Sequence, residues 1–252
     1  MKLTVVVSAY NQAAYLRDCI VSLTGGMTTT CVALGLTTGQ TYRNFEIIIV
    51  DDGSTDNTWG ECVALVQAAE NQKLDIPIFA LRLAKNGGTP RALNAAIDKA
   101  RGVFVTVVHG DDMLEPWHLA TLIDAAATGR FVYGDLRVYS RGQRGATWRL
   151  GSWDFEKAKT KNLASAAILF ARTDWKRCNG YPEEMNRGRE DWAMTLRLAA
   201  HGVQGHHVNG VDPSYLYRRE GQGRAQQNHT PEWAARFAGQ MQAAMPEVYG
   251  NG

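Results

Sequence analysis

Two periodicities alternate along the first half of the chain. Leu3 to Val7 is a short apolar run of strand type, and Tyr15 to Leu23 follows with Leu16, Cys19, Ile20 and Leu23 at helical spacing. Phe45 to Val50 is a second buried run, ended by the turn chemistry of DDGSTDNT. Trp59 to Ala69 reads as a helix with a capping residue between Asp56 and Thr58. Ile76 to Leu83 is a third strand, Pro90 to Ala100 a helix with proline in its first turn, and Val103 to Val108 a fourth strand. Continuous apolar strands separated by helices predict a parallel sheet covered on both faces.

Ligands of such sheets bind beyond the carboxyl ends of the strands. SAYN follows the first strand, DDGSTD the second and HGDD the fourth, so three polar clusters fall on one sheet edge. The second half is less regular. Phe131 to Tyr139 and Ala166 to Phe170 read as strands, and Glu190 to His201 as a helix with Gly202 just past its end. Tyr215 to Arg219 reads as a last strand, and Trp233, Phe237 and Met241 form a helical stripe, read as core packing before membrane docking. Residues 24 to 40, TGGMTTTCVALGLTTGQ, hold no charge and break the pattern. They exceed the ~2–6 residues usual between elements of an α/β unit, which predicts an ordered excursion or a flexible flap at the active-site edge or an oligomer contact.

The 252 residues suffice for one domain, or one domain with a C-terminal elaboration. A formal charge of +2 provides no field that would select nucleic acid or an anionic membrane. The apolar part of MKLTVVVSAY is too short for a signal peptide, and no apolar run approaches the ~18 residues of a spanning helix. Cys19, Cys31, Cys62 and Cys178 are scattered, which fits reduced thiols in a cytoplasmic protein and disfavours zinc or a disulfide framework.

Four blocks then stand in order: VVVSAYNQAAYLRDCIVSL, QTYRNFEIIIVDDGSTDNT, KNGGTPRALNAAIDKARGVFVTVVHGDDMLEP and GREDWAMTLRLAAHG. Together, over roughly residues 3 to 220, they resemble the family 2 glycosyltransferases. That resemblance implies an α/β GT-A fold, a Rossmann-like, mostly parallel sheet with helices on both faces. It divides the chain into a GT-A domain over 1–220, with a nucleotide-binding half at 1–112 and an acceptor-binding half at 113–220, and a helical extension over 221–252. It implies transfer of a sugar from a nucleotide donor, UDP-sugars first, usually with inversion and with Mn²⁺ or Mg²⁺. The chemistry agrees: a divalent cation stabilises charge on a leaving diphosphate, and hard cations prefer carboxylate and phosphate oxygens. A positioned carboxylate can take the acceptor's proton.

By the same resemblance Ser8 and Tyr10 line the nucleobase and Asp52 accepts from its ring, with Asp51 beside it as loop support. Arg91 stands where some members place a basic nucleotide contact. Asp111 and Asp112 match the metal and ribose carboxylates, Asp191 the catalytic base, and Glu190 a residue orienting acceptor or base. The chain departs from the family at three places. His109 replaces the first acid of DxDD, Glu220 and His229 stand where a metal-binding histidine often follows a YR segment, and the 24–40 segment is long. The acceptor stays open among glycan, lipid carrier, protein and modified nucleic-acid base, as do peripheral membrane contact and an oligomer. Two other readings remain. A nucleotidyltransferase usually carries a Gly-rich basic loop that SAYNQAAY lacks, and a non-catalytic sugar-nucleotide-binding protein is compatible with the altered HGDD.

Overall fold

The structure is a computed structural model and describes residues 2–186, 188–219 and 231–250, without the side chains of 231–236. Glu220 and His229, and the side chain of Trp233, lie outside the described residues. The chain runs β1 (Leu3–Ala9), α1 (Leu16–Thr24), α2 (Thr29–Leu34), β2 (Phe45–Asp51), α3 (Thr58–Asn71), β3 (Ile78–Arg82), α4 (Thr89–Lys99) and β4 (Phe104–His109). It continues through β5 (Met113–Leu114), α5 (His118–Asp124), β6 (Arg130–Tyr133), β7 (Leu136–Ser140), β8 (Gln143–Trp148), α6 (Phe155–Ala158), β9 (Leu169–Ala171) and α7 (Arg172–Arg177). The last elements are α8 (Glu190–Ala200), β10 (Gln204–His207), β11 (Tyr215–Arg218), α9 (Pro231–Ala244) and α10 (Pro246–Tyr249).

Seven strands form the main sheet in the order β10-β6-β9-β4-β1-β2-β3. Val7 pairs in parallel with Ile49 on one side and Val108 on the other, so β1 is the centre from which the chain winds both ways. Only β9 runs antiparallel, between β4 and β6. Alternate residues explain the continuous apolar runs: Val5, Val7, Ile47 and Ile49 face α1 and α3, while Val6, Ile48 and Val50 face α4. Both faces are dry, as the unbroken hydrophobicity required.

A smaller sheet, β5-β11-β7-β8, stands beside the main one. Here the structure corrects the single strand expected over Phe131 to Tyr139. Gly134 and Asp135 interrupt it, and β6 joins the main sheet while β7 joins the small one. The Asp135 carboxylate holds that break by accepting from Leu150 N (2.9 Å) and Arg149 Nη1 (2.8 Å) and meeting His207 Nε2 (2.8 Å).

The 24–40 segment is the ordered excursion of the two expected forms. Thr28 caps α2 by accepting from Cys31 N, and Gly35 ends it at φ 70°. Its Cys31, Leu34 and Leu36 form a separate small core with Met113, Tyr139 and Leu216 of the second sheet. Gln40 then anchors its end, donating to Ser22 O and Glu115 O and accepting from Leu119 N. At the other end of the chain, Phe237 and Met241 are buried with Ala193 and Leu196 of α8, and Phe237 stacks on Trp192 with ring centroids 5.6 Å apart. This part of the stripe is core. No helix among the described residues is long and apolar enough to cross a membrane, and all four cysteines are free and buried.

Candidate active site

The three polar clusters meet outside β1, β2 and β4, at the point where the strand order reverses. The loop after β1 turns at Asn11, whose φ of 53° lies in the left-handed region that asparagine tolerates better than most residues. Its side-chain carbonyl accepts from Thr55 N at 2.9 Å, and its own N–H donates to Ser54 Oγ at 3.0 Å. Gln12 N donates to Thr58 Oγ1 at 2.8 Å. SAYN and DDGSTDNT thus form one clasp, with half-buried Tyr10 at its mouth.

Asp51 and Asp52 divide their work. Asp51 is fully buried; it accepts from Ser54 N at 3.0 Å and pairs with Arg82 Nε at 3.2 Å, which makes it the loop support. Asp52 accepts from Gly87 N, Gly88 N and Asn86 Nδ2 at 2.8, 2.8 and 3.0 Å. It therefore pins the turn before α4. Arg91 follows on the first turn of α4, exposed, with its side chain lying over Gly87: a β-carbon there would meet Arg91 Cδ at 2.6 Å.

Across the crevice, Ser8 Oγ lies 3.0 Å from His109 Nδ1, and His109 Nε2 lies 3.9 Å from Glu190 Oε1. Burial pulls the imidazole's pKa down, but the carboxylates of Glu190, Asp112, Asp111 and Asp191 outweigh it and hold it above its ordinary value. His109 thus bridges a residue expected at the nucleobase to one expected at the acceptor, at the position where the family often has an acid. Asp191 is half-buried in the first turn of α8, and its Oδ2 accepts from Asn162 Nδ2 at 3.1 Å.

The HGDD block is secured by residues that no sequence pattern singled out. Asp112 is buried, with one oxygen accepting from Tyr215 OH and the other from Arg218 N at 2.7 Å. Burial, then the charge of Asp111, pushes its carboxyl up to about 7. Asp111 is half-buried, and its carbonyl accepts from Arg218 Nε at 2.7 Å and Tyr139 OH at 3.1 Å. The Arg218 guanidinium lies between two rings, 4.5 Å from the centroid of Tyr15 and 4.7 Å from that of Tyr139, and pairs with Asp18 at 3.3 Å. The signals for these supports were slight: an asparagine after a strand, and a YR pair at the end of another.

Among the described residues no group of three histidine, cysteine or acidic side chains is arranged to hold a metal ion. A cation that takes its other ligands from a diphosphate and water needs only one or two carboxylates, and half-buried Asp111 is a carboxylate of that kind.

Among solved structures, the chain resembles TarS of S. aureus in complex with UDP-GlcNAc, with a TM-score of 0.71 and 21% identity over 99% of this chain and 67% of that one. It also resembles GalNAc-T7 with UDP, GalNAc and Mn²⁺, with a TM-score of 0.65 and 14% identity over 88% of this chain and 45% of that one. The α/β GT-A fold expected from the motifs is the fold observed. In sequence, 120 residues are 33% identical to the glycosyltransferase GlyG of Streptococcus pneumoniae, covering 48% of this chain but only 33% of GlyG. The description "Glycosyl transferase family 2" matches residues 4–176, more than half of the chain, which therefore belongs to that family.

Proposed function

We propose that the chain transfers a sugar from a UDP-sugar to an acceptor hydroxyl, with inversion and with help from a divalent cation. The observation that carries this reading is the convergence of two carboxylate sets on one crevice: Asp111 beyond β4, and Glu190 and Asp191 at the start of α8, with His109 reaching from one block to within 3.9 Å of the other. TarS with UDP-GlcNAc supports the choice of donor, and GalNAc-T7 with Mn²⁺ supports the cation.

In this reading Ser8 and Tyr10 line the nucleobase, Asp52 accepts from its ring through Oδ1, which also accepts from Gly87 N, and Arg91 faces the phosphates from the first turn of α4, after the turn that Asp52 pins. Asp111 holds the ribose or the cation. Asp112 has both oxygens committed to Tyr215 and Arg218, so it backs the block and reaches the cation only by releasing Tyr215. Mn²⁺ or Mg²⁺, when bound, supplies positive charge beside the diphosphate. The acceptor oxygen forms its bond to the anomeric carbon as the bond to the diphosphate breaks, the electron pair leaves with UDP, and the acceptor's proton passes to Asp191. Glu190 and Asn162 orient that carboxylate, and residues 1–112 and 113–220 serve as the donor and acceptor halves.

The test is UDP release from UDP-GlcNAc, UDP-glucose and UDP-galactose, with Mn²⁺ and with EDTA. Release from at least one donor, lost on chelation, is expected. Release that EDTA leaves untouched removes the cation from the reading. UDP binding without turnover of any donor points instead to a non-catalytic binding protein.

A further inference from the structure

The small sheet carries an aromatic pair that the donor site does not use. Trp148, at the end of β8, is 43% exposed, and its ring centroid lies 5.6 Å from that of Tyr217 at a tilt of 35°. The register places both on one face. Trp148 pairs with Leu136, Tyr215 pairs with Leu136 from the other side, and Tyr217 pairs with Val138. Alternation then puts Tyr215, Tyr217, Leu136, Val138 and Trp148 together, with Leu216 and Tyr139 turned the other way into the small core.

That face is buried at Tyr215 and Leu136 and reaches the HGDD block through one bond. Tyr215 OH donates to the Asp112 carboxylate, and Tyr217 is the next residue along the same face. Burial raises the pKa of the Tyr217 phenol, and the charges of Asp112, Asp111 and Asp191 raise it further. It therefore lies in the field of both the HGDD block and the candidate base. Trp148 is the solvent-facing end of a wall whose inner end, Tyr215, touches the Asp112 carboxylate.

We propose that Trp148, backed by Tyr217, is the acceptor platform, and that the acceptor presents a sugar ring whose C–H face stacks on the indole. The proposal rests on the transferase reading above and names its acceptor class. A sugar ring has one apolar face and a rim of hydroxyls, which suits an exposed aromatic plane on a polar edge strand. Nucleic acid fits less well, because the two arginines nearest Trp148 in its own segment, Arg144 and Arg149, are already paired. Arg144 bonds Glu115 through Nε at 2.7 Å and also donates to Leu34 O, and Arg149 bonds Asp135 at 2.8 Å, so neither is free to meet a phosphate. An acyl chain fits less well because the neighbours of Trp148 on the same edge strand, Gln143 to Ala146, are exposed and short or polar.

The experiment uses the full chain with whichever UDP-sugar it turns over. Methyl glycosides of glucose, galactose and N-acetylglucosamine are added, and then an octyl glycoside of the same sugars to separate free from lipid-linked presentation. At least one glycoside should raise UDP release. Trp148→Ala should raise its KM about ten-fold or more, the scale of ~1.4 kcal/mol of stacking, while Trp148→Phe stays close to the parent. UDP affinity by calorimetry should remain that of the parent in both variants. Saturation-transfer NMR on the UDP-bound chain should show ring C–H contacts that Trp148→Ala removes, a readout independent of turnover. An unchanged KM in Trp148→Ala overturns the platform. So does a parent that ignores every glycoside, whether or not a serine peptide or an oligonucleotide stimulates it. A parent that releases UDP from no donor sinks the transferase reading instead, and the NMR arm still decides the platform.

Discussion

The sides proposed for donor and acceptor are held by different kinds of bond. On the proposed donor side, side-chain oxygens of Asn11 and Asp52 accept from backbone N–H groups of the facing loops, and Asp51 from its own turn, at 2.8–3.0 Å. Such bonds fix the backbone itself and leave each loop one geometry. On the acceptor side, Asp191 is steadied by Asn162 at 3.1 Å, Glu190 faces His109 at 3.9 Å, and the β8 edge is exposed along most of its length. Under the proposed reading, a side fixed through its backbone suits a nucleotide that is the same in every turnover, and an exposed β8 edge suits an acceptor that must enter and leave.

The sharpest way to test this contrast is Asp191→Asn. It should lower transfer by about 10²-fold or more while UDP affinity stays at the parent value. Single-turnover kinetics beside calorimetry would separate the two quantities, and a variant that still transfers at the parent rate places the base elsewhere.

Asp52→Ala acts on the other side and should cost roughly 1–3 kcal/mol of UDP affinity, the scale of a charged hydrogen-bonding group left unmade. Hydrogen exchange at Gly87 and Gly88 should rise in the same variant, since both N–H groups lose their acceptor. Faster exchange with unchanged UDP affinity would make Asp52 a clasp and nothing more.

The smallest expected effect is a pH dependence that arises at His118. His118 lies 2.8 Å from Ser214 Oγ through Nδ1, its Nε2 is buried without a partner among the described residues, and burial pulls its pKa down to about 3. The unfolded chain, with an ordinary histidine near 6.5, binds the proton first, so stability is intact above about pH 6.5 and falls as the pH drops toward 3. The slope from this residue is at most about 1.4 kcal/mol per pH unit. Urea unfolding at pH 7.5 and 5.0 should show a smaller loss in His118→Gln than in the parent. Equal losses would mean that the acid sensitivity resides elsewhere.

Strands β1, β2 and β4 were legible because both of their faces are buried, which leaves an unbroken apolar run. Strand β8 was not, since an exposed edge strand needs no apolar face, and QRGATW carries only one large apolar side chain. The break at Gly134–Asp135 was hidden for another reason: it depends on partners at Arg149, Leu150 and His207, which no local period can announce. At the site, the motifs identified the residues expected to touch the ligands and missed those that hold them. Asn11 acts on a loop 44 residues away, and Arg218 on blocks 106 residues and more away. The 24–40 segment was visible as an excursion, but its docking on Tyr139 and Leu216 required the second sheet to exist.

The ties made by β11 also order the birth of the molecule. The nucleotide-side strands are complete once residue 109 has been made. The carboxylate of Asp112 must then wait for Tyr215 and Arg218, 103 and 106 residues later, and Asp18 waits 200 residues for the same arginine. Contacts of such separation carry a loop-closure cost that short ones do not. A nascent chain emerging amino-end first therefore builds its central strands long before it closes the carboxylate block. The central strands are made early, and the ties of the carboxylate block come late, with the last strand among the described residues.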